Sequence, residues 1–355
     1  MAVAEDPSFT LRLVRPLRRP GPLDAHAIRD PAKLEQVRLV RVHRRTNPHR
    51  GWYQSLGFGM RSARPDIIHA EEEPDGIGAL QVATARRLLA PRALLILNTW
   101  QNVNRRKAPH VEWVLRRTLS AADAVVCGNE GAVTVLRELG YDGPAPVIPA
   151  LILDPSVFHR VPVARLASGF TVGYVGRLVR EKGVDTLIRA VAALGNGATL
   201  AAVGSGPLQS DLEDLARGLG IADRVRFLGP RDPQGVVEFL SAVDVVVVPS
   251  RTSPVWKEQF GRVAVEAMGC EVPVVGSQSG SIPEVLGDAG LLFPEDDHAA
   301  LADHLRRLMA SPGYRAELAR RGLQRGLSAH SASRRGAQTI EFYRQLVGRT
   351  AVAAS

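Results

Sequence analysis

The feature that most constrains the fold is a regular alternation of short apolar runs and helical repeats after residue 170. Apolar, β-branched runs recur at 170–176, 199–203, 225–228, 244–249, 272–276 and 291–293. Between the first two runs, Val184, Leu187, Ile188 and Val191 return at helical spacing. Apolar strands separated by helices are typical of a parallel sheet covered on both faces. The sequence therefore predicts a Rossmann-like α/β domain in this half of the chain.

The first 150 residues repeat the pattern less regularly. Strand-like runs occur at 9–14, 37–42, 66–70, 93–97, 124–127 and 146–149. A length of 355 residues is most naturally two domains. We expect an N-terminal Rossmann-like domain over residues 1–165, a second one over 166–331, and a last helix within 332–355. That helix is expected to pack across both domains through Ile340, Phe342, Tyr343 and Leu346.

Composition excludes several broad classes of protein. With 45% hydrophobic and 23% charged residues, the chain resembles globular proteins and not fibrous or disordered ones. It holds no run of about 18 apolar residues that would span a membrane, and its start does not resemble a secretory signal. The cysteines, Cys127 and Cys270, lie in different apolar stretches. We therefore expect buried free thiols and a cytoplasmic compartment.

The net charge of +9 is concentrated near the N-terminus. Residues 1–64 hold 13 Arg or Lys and 5 Asp or Glu, whereas the remaining 291 residues are nearly neutral. Such a segment could contact an anionic membrane surface or an acidic substrate. The alternative is a codon bias toward arginine, since 41 of the 45 cations are Arg. Nucleic-acid binding is disfavoured, because interleaved aromatic residues and known motifs are absent.

The first candidate site is the loop from Gly176 to Gly183, directly after a predicted strand. Ligands of open α/β sheets bind beyond the carboxyl ends of the strands, where the next helix N-terminus favours anions. Arg177 and Lys182 add two cations to this loop. A phosphate-bearing ligand is one interpretation, and a solvated loop is the other. The spacing matches neither a P-loop nor the common dinucleotide fingerprint.

Three further segments follow strands in the same half. The loop Gly204–Pro207 could admit a ligand or form a tight turn before a helix. Glu258 lies just before a predicted helix and Glu266 lies within it, among apolar residues. Half-buried carboxylates need partners, and sugar hydroxyls are suitable, although Glu266 could instead be a salt-bridged core residue. The turn after Gly280 could contact a nucleotide or start a helix capped by Ser281.

Taken in order, these segments resemble family 4 of the retaining, nucleotide-sugar-dependent glycosyltransferases, the group 1 glycosyl transferases. The stretch Val175–Gly183 matches the pattern V-G-R-L-x-x-E-K-G, and Glu258 and Glu266 match the motif E-x7-E. The resemblance is specific over about residues 170–295 and looser over 66–150. It implies the GT-B fold, in which two Rossmann-like domains face each other across a cleft.

The resemblance implies a role for each matching residue of the first loop. Arg177 and Lys182, beside Gly176, would hold the donor diphosphate in place of a metal ion. Breaking a sugar–diphosphate bond builds negative charge on the leaving group, and fixed cations stabilise that charge. The expected site therefore uses no metal and no cofactor other than the nucleotide sugar itself.

The E-x7-E match implies the remaining donor contacts. Glu266 would accept the ribose hydroxyls, and Glu258 would contact hydroxyls of the transferred sugar, with the backbone at Phe260 and Gly261 nearby. Enzymes of this family keep the configuration of the sugar and have no settled protein nucleophile. We therefore expect Glu258 to be catalytic through contact with the sugar and do not assign it as nucleophile.

The N-terminal half departs from the family in two ways. Phe9–Val14 resembles the second strand of the family's domain, so we expect its first strand, glycine-rich loop and helix to be missing. Many members carry a Thr-His pair after the fourth strand, where this chain has Thr99-Trp100-Gln101-Asn102 and lacks the His. Trp100 and Gln101 could stack on or hydrogen-bond an acceptor. His69 and the acidic run Glu71–Glu73 are further candidates for acceptor contact, with a solvated loop as the alternative.

The expected function is transfer of a hexose from a UDP- or GDP-linked sugar to a carbohydrate, lipid or small-molecule acceptor. The reaction would take place in the cytoplasm or at the inner face of the membrane. The alternative is a protein that binds a nucleotide sugar but is catalytically impaired by an incomplete N-terminal domain.

Overall fold

The protein consists of two compact units, seen here in a computed structural model. The structure describes residues 6–16, 36–40, 42–43, 51–54, 60–149 and 152–353. One unit comprises Met1–Pro149 together with Ala332–Ser355, and the other comprises Ala150–Ser331. Residues 150–165, which the sequence analysis placed in the first domain, thus belong to the second unit, and the last helix belongs to the first. Much of the basic segment 1–64 lies outside the described residues, and its contact with a membrane or acidic substrate stays a prediction.

Strands and helices alternate along most of the chain. The strands are β1 (Arg12–Pro16), β2 (Gln36–Val40), β3 (Val42–His43), β4 (Trp52–Tyr53), β5 (Ile67–Ala70), β6 (Leu94–Thr99), β7 (Ala124–Cys127), β8 (Phe170–Val175), β9 (Ala198–Val203), β10 (Val225–Phe227), β11 (Val245–Val248), β12 (Val274–Ser277) and β13 (Leu291–Phe293). The helices are α1 (Met60–Ala63), α2 (Ile77–Leu89), α3 (Pro109–Ala121), α4 (Glu130–Glu138), α5 (Val184–Ala192), α6 (Gln209–Gly218), α7 (Pro233–Ser241), α8 (Arg262–Gly269), α9 (Ile282–Leu286), α10 (His298–Ala310), α11 (Pro312–Ala329) and α12 (Ala332–Ala353).

A parallel sheet of β5, β6 and β7 forms the core of the first unit. One face packs against α2, α3 and α4, and the other packs against α12 through Phe342, Tyr343 and Leu346. Packing of this helix across both domains stays a prediction. β1 and β2 form a separate parallel pair, and β3 and β4 an antiparallel pair. The strand predicted at 146–149 is wrong, because Val147 forms only an isolated bridge with Cys127.

A six-stranded parallel sheet forms the core of the second unit. Its strand order is β10-β9-β8-β11-β12-β13, with apolar clusters on both faces. The six predicted strands are all present, and each begins and ends within about two residues of its predicted bounds. This is the Rossmann order, in which the chain reverses direction across the sheet between β8 and β11. Ligands of such sheets bind where the carboxyl ends of these two strands lie side by side.

The loops that follow β8 and β11 are joined backbone to backbone. The Arg251 N–H donates to the Glu181 carbonyl at 2.9 Å. Gly183 has a φ of +62°, and a Cβ added there would overlap the carbonyl oxygen of Pro249. The glycine that begins α5 is therefore required both by its left-handed backbone and by the close approach of the second loop.

We predict that Gly183→Ala destabilises the protein more than Gly195→Ala does. Gly195 has the same φ of +62° but no neighbouring atom within 4 Å of an added Cβ. Both variants lose about 1–2 kcal/mol because alanine disfavours the left-handed conformation, and only Gly183→Ala adds a clash that costs a further ~1–3 kcal/mol. Urea unfolding of the two variants measures the difference, and equal losses would show that the approach of Pro249 is unimportant.

Candidate functional site

The candidate site lies in the second unit, at the carboxyl ends of β8 and β11. The Gly176–Gly183 loop follows β8, and the segment Pro249–Gly261 follows β11 and leads into α8. The structure brings the two loops together and so unites the first and third segments that the sequence singled out. Every donor-side residue predicted from the sequence lies on one of these loops or on α8.

Glu258 is the centre of this arrangement and is only 8% exposed. Its Oε2 atom accepts a hydrogen bond from Lys182 Nζ at 2.5 Å and another from Ser250 Oγ at 2.8 Å. Its Oε1 atom accepts from the Gly261 N–H at 3.4 Å. The carboxylate is thus held by the loop after β8, by the end of β11 and by the start of α8.

The partners of Glu258 decide its protonation state. Burial alone raises the pKa of this carboxyl, and it is the largest single effect. The Lys182 ammonium and the hydrogen bonds from Lys182, Ser250 and Gly261 together outweigh burial and leave the pKa below its ordinary value. Glu258 is therefore an anion at neutral pH, and most of its lone pairs are directed at protein donors.

The two cations of the first loop differ in their surroundings. The Lys182 side chain is 19% exposed and lies against Glu258, whereas the Arg177 side chain is 66% exposed and lies 3.6 Å from Glu181. The backbone at Arg177 is fixed from below, because the Tyr174 hydroxyl donates to its carbonyl at 2.7 Å. Arg177 therefore presents its guanidinium to solvent at the edge of the site, while Lys182 lies inside it.

The pKa of Glu266 is shifted in the opposite direction from that of Glu258. It is half-buried on α8, and within the part of the chain that the structure describes its carboxylate receives no hydrogen bond and no ion pair. Burial, the largest effect, raises its pKa to about 7, and the charge of Arg262 acts in the opposite direction. The salt-bridged core residue that the sequence left open as an alternative is therefore not what the structure contains.

The turn after Gly280 supports the backbone of Glu258, a role that the sequence analysis missed. The Ser281 N–H and Oγ donate to the Glu258 carbonyl at 3.0 and 3.3 Å. A Cβ on Gly280, whose φ is +55°, would overlap that same carbonyl. Ser281 is the N-cap residue of α9, as one of the two interpretations had it, although its side chain makes no capping hydrogen bond. The adjacency of the two segments depends on the pairing of β11 with β12, which no local pattern reveals.

The loop Gly204–Pro207 is a packed turn. The Leu178 N–H donates to the Ser205 carbonyl at 2.9 Å. Added Cβ atoms on Gly204 and Gly206 would overlap the carbonyls of Gly176 and Leu178. These glycines therefore let one loop lie directly on the other, which favours the turn over ligand admission.

Arg251 anchors the start of the second loop, and the sequence analysis did not single it out. Its guanidinium donates to Asp185 at 2.7 Å and to Thr186 at 2.9 Å, and it forms an ion pair with Asp296 at 2.8 Å. Next to it, Thr252 donates to Glu295 through both its N–H and its hydroxyl. In the sequence, only the run of polar residues that directly follows the buried strand β11 indicated such a network.

The acceptor-side candidates Trp100 and Gln101 lie in the first unit, directly after β6. The Trp100 N–H donates to Glu73 at 2.8 Å. The Gln101 amide donates to Asp75 at 2.9 Å and accepts from Lys107 at 3.2 Å. These contacts place both residues at the carboxyl edge of the sheet, and their contact with an acceptor stays a prediction.

His69 is engaged on both sides of its ring. Its Nε2 lies 2.6 Å from Asn98 Oδ1, and its Nδ1 lies 2.5 Å from the Tyr343 hydroxyl. Burial lowers the pKa of His69, so the ring is neutral and donates to Asn98 while it accepts from Tyr343. An acceptor could reach a nitrogen of His69 only by displacing one of these partners.

The acidic run beside His69 is used within the first unit. Glu71 pairs with Arg335 of α12 at 2.9 Å, and Glu72 accepts from the Tyr53 hydroxyl. Glu73 accepts from Thr99 as well as from the backbone of Trp100. Each carboxylate therefore contacts a different part of the unit, and its contact with an acceptor stays a prediction.

The cysteines, the possible metal ligands and the helix lengths bear on compartment, metal binding and membrane insertion. Cys127 and Cys270 are buried free thiols, and burial raises the pKa of each to about 12. Within the described ranges, no group of three or more His, Cys, Asp or Glu residues could hold a metal ion. In those same ranges, every helix is too short or too polar to cross a membrane.

Comparison with known proteins finds a family similar to most of the second unit. Residues 162–325 match the family described as glycosyl transferases group 1. This region of the chain is therefore similar to the glycosyl transferases group 1 family, and it is called the group 1 domain below. The group 1 domain contains all of the donor-side residues described above.

Relatives of known name extend beyond the group 1 domain. The D-inositol 3-phosphate glycosyltransferase of Salinispora tropica is 38% identical over 194 residues, which are 50% of this chain and 39% of that protein. The enzyme of the same name from Corynebacterium urealyticum is 32% identical over 249 residues, which are 63% of this chain and 57% of that protein. The chain thus matches only about half the length of these relatives.

Solved structures share the architecture of both units. Sucrose-phosphate synthase from Thermosynechococcus elongatus has a TM-score of 0.62 at 27% identity, over 80% of this chain and 74% of that one. The Anabaena protein Alr3699/HepE, solved in complex with UDP, has a TM-score of 0.68 at 22% identity, over 82% and 81%. The chain has the GT-B fold, with a parallel sheet in each unit.

We predict that Glu266→Gln stabilises the unliganded group 1 domain and that the gain grows with pH. The pKa of Glu266 rises from 4.5 to about 7 on folding, so the folded state binds the proton more tightly. Stability from this group is complete below the ordinary pKa and is lost as pH rises through about 7. The glutamine variant avoids that loss, which reaches about 2–3 kcal/mol.

Urea unfolding at about pH 5 and about pH 8 checks this prediction. The exposed Glu238→Gln on α7 is the matched control and should show no such dependence. A gain for Glu266→Gln that is equal at both pH values would contradict the electrostatic cause.

Proposed function

We propose that the chain is a retaining glycosyltransferase that transfers a hexose from a UDP- or GDP-linked sugar. The observation that carries the proposal is the half-buried carboxylate of Glu266, which has no partner among the described residues and lies on the helix that follows the loop of Glu258. Burial raises the pKa of Glu266 to about 7, so the ionised carboxylate lowers the stability of the unliganded fold. Its retention makes physical sense where a ligand supplies the missing hydrogen bonds.

Glu266 suits the ribose of a nucleotide. A carboxylate accepts two hydroxyls at once, and the 2′ and 3′ hydroxyls of ribose are adjacent. Binding of such a diol lowers the pKa of the carboxyl and removes the cost of burying an unpartnered charge. Glu258 would contact hydroxyls of the transferred sugar, while Lys182, Ser250 and Gly261 hold it in place.

Lys182 and Arg177 suit the diphosphate. The bond between the sugar and the diphosphate breaks with a growth of negative charge on the leaving group, which nearby cations stabilise. Lys182 is already oriented by Glu258, and the exposed Arg177 can close on a phosphate without breaking a buried contact. With these two cations, the proposed reaction requires no metal ion.

The acceptor would meet the first unit, at the carboxyl edge of its sheet beside Trp100 and Gln101. The curated relatives are named for D-inositol 3-phosphate, so this cyclitol phosphate is the first acceptor to test, ahead of lipid-linked sugars. The two buried free thiols support a cytoplasmic site of action.

The experiment that tests the function needs no acceptor. We expect one of UDP-glucose, UDP-N-acetylglucosamine and GDP-mannose to raise the melting temperature and to be slowly hydrolysed, equally well in the presence of a metal chelator. NMR of the released sugar during its first turnovers should show retained anomeric configuration. A rise in melting temperature without any turnover would favour a binding protein, and no response to any nucleotide sugar would overturn the proposal.

Loss of the Lys182 ammonium or of the Glu266 carboxylate should abolish most of the activity. We predict that Lys182→Ala and Glu266→Ala each lower kcat/KM by roughly 100-fold or more, because charge and ribose contacts in the transition state are lost. Glu238→Ala, which changes an exposed carboxylate of the same unit, is the control. Folded variants with wild-type kcat/KM would show that the site is wrongly assigned.

Because Arg177 is exposed, its substitution tests ligand binding without a change in the stability of the protein. We predict that Arg177→Met weakens binding of a nucleotide sugar by about 10-fold, because one charge on the diphosphate is lost, and leaves the melting temperature unchanged. Arg180→Met removes another exposed arginine from the same loop and should change neither. Calorimetric titration of both variants measures the difference, and equal effects would mean that only net charge matters.

A further inference from the structure

A short hairpin in the second loop places an indole ring on the central lysine. The Ser253 N–H donates to the Trp256 carbonyl at 2.8 Å, and the Trp256 N–H donates back to the Ser253 carbonyl at 3.3 Å. Pro254 and Val255 form the tip, and Val255 is 61% exposed. The two mutual hydrogen bonds fix the direction in which Trp256 leaves the backbone.

The ring of Trp256 covers one side of the Lys182 ammonium. Nζ lies 4.8 Å from the ring centroid, within the range of a cation–π contact. Glu258 is the one hydrogen-bond acceptor of this ammonium among the described residues. A lysine ammonium has three N–H donors. Glu258 accepts one of them, and the ring face accepts no conventional hydrogen bond, so donors remain for an anionic oxygen.

A lysine needs such restraint more than an arginine does. Its ammonium is a point charge on a flexible four-carbon stem, so a single ion pair leaves many rotamers open. Glu258 restrains Lys182 from one direction, and the ring of Trp256 restrains it from another. The hairpin that carries the ring is itself anchored through Arg251 and Thr252.

We propose that Trp256 is a positioning residue, which holds the Lys182 ammonium in place for the diphosphate and does not itself contact the donor. This inference rests on the proposed function, since it takes Lys182 as the residue that meets the leaving group. The contact between Trp256 and Lys182 can nevertheless be tested without any ligand.

The chain has four lysines, Lys33, Lys107, Lys182 and Lys257, which makes selective NMR labelling direct. With lysine labelled at Cε, the Lys182 methylene signal should lie upfield because of the indole ring current, and its loss in Lys182→Met assigns it. Trp256→Leu should return the signal to the usual lysine region, and Trp256→Phe should leave part of the shift. Trp113→Leu, which removes a 54% exposed tryptophan of the first unit, should change nothing. An unshifted Lys182 signal in the wild-type protein would overturn the proposal.

Kinetics then separate positioning from direct contact with the donor. We expect Trp256→Leu to lower kcat/KM by about 10-fold, Trp256→Phe to retain most activity, and Trp256→Leu to cost nothing further in a Lys182→Met background. Losses that multiply in the double variant would overturn the proposal, because Trp256 would then act on the substrate itself. If the ring-current shift is present but no nucleotide sugar moves the Lys182 signal, the proposed function fails while the contact stands.

Discussion

The ion pair between Lys182 and Glu258 is the contact on which the rest of the candidate site depends. One partner comes from the loop after β8 and the other from the loop after β11, so the pair forms only when these strands lie side by side. A buried carboxylate is costly unless it is both paired and hydrogen-bonded, and Ser250 and Gly261 complete that requirement. The glycines of the surrounding turns let backbone pack directly on backbone, which holds the loops close enough for the pair to form.

The two units differ in how the polar side chains near the carboxyl ends of their strands are hydrogen-bonded. At the carboxyl edge of the first unit, His69, Gln101 and Glu73 are each bound by other residues of that unit. In the second unit, Glu258 accepts hydrogen bonds from Lys182, Ser250 and Gly261, whereas Glu266, eight positions later, is half-buried, has no partner among the described residues and has a pKa of about 7. A fold that keeps such a carboxylate sacrifices stability at neutral pH, which is the expected trade-off at a ligand site.

Much of the second unit could be predicted from the sequence, because continuously apolar strands and helical repeats are local patterns. The predicted strands at 170–176 and 244–249 and the start of α8 after Gly261 all agree with the structure. The roles of Ser281 and Arg251 could not be predicted, because each acts on a residue that is distant in sequence and adjacent only through strand pairing. The first unit was harder for the same reason: the partners of His69 include Tyr343, which lies 274 positions away.

By itself, the sequence determined the α/β class, the presence of two α/β halves, the loops of the candidate site and the family that their motifs resemble. These follow from periodicity and from residue types at fixed spacing, which are properties of short segments. Only the tertiary structure decided that Lys182 and Glu258, which are 76 positions apart, form an ion pair. It also decided that Trp256 lies on that lysine and that Glu266 has no partner within the described residues. These facts depend on the order of strands in the sheet and on which loops it brings into contact, and that order is set by packing of the whole unit.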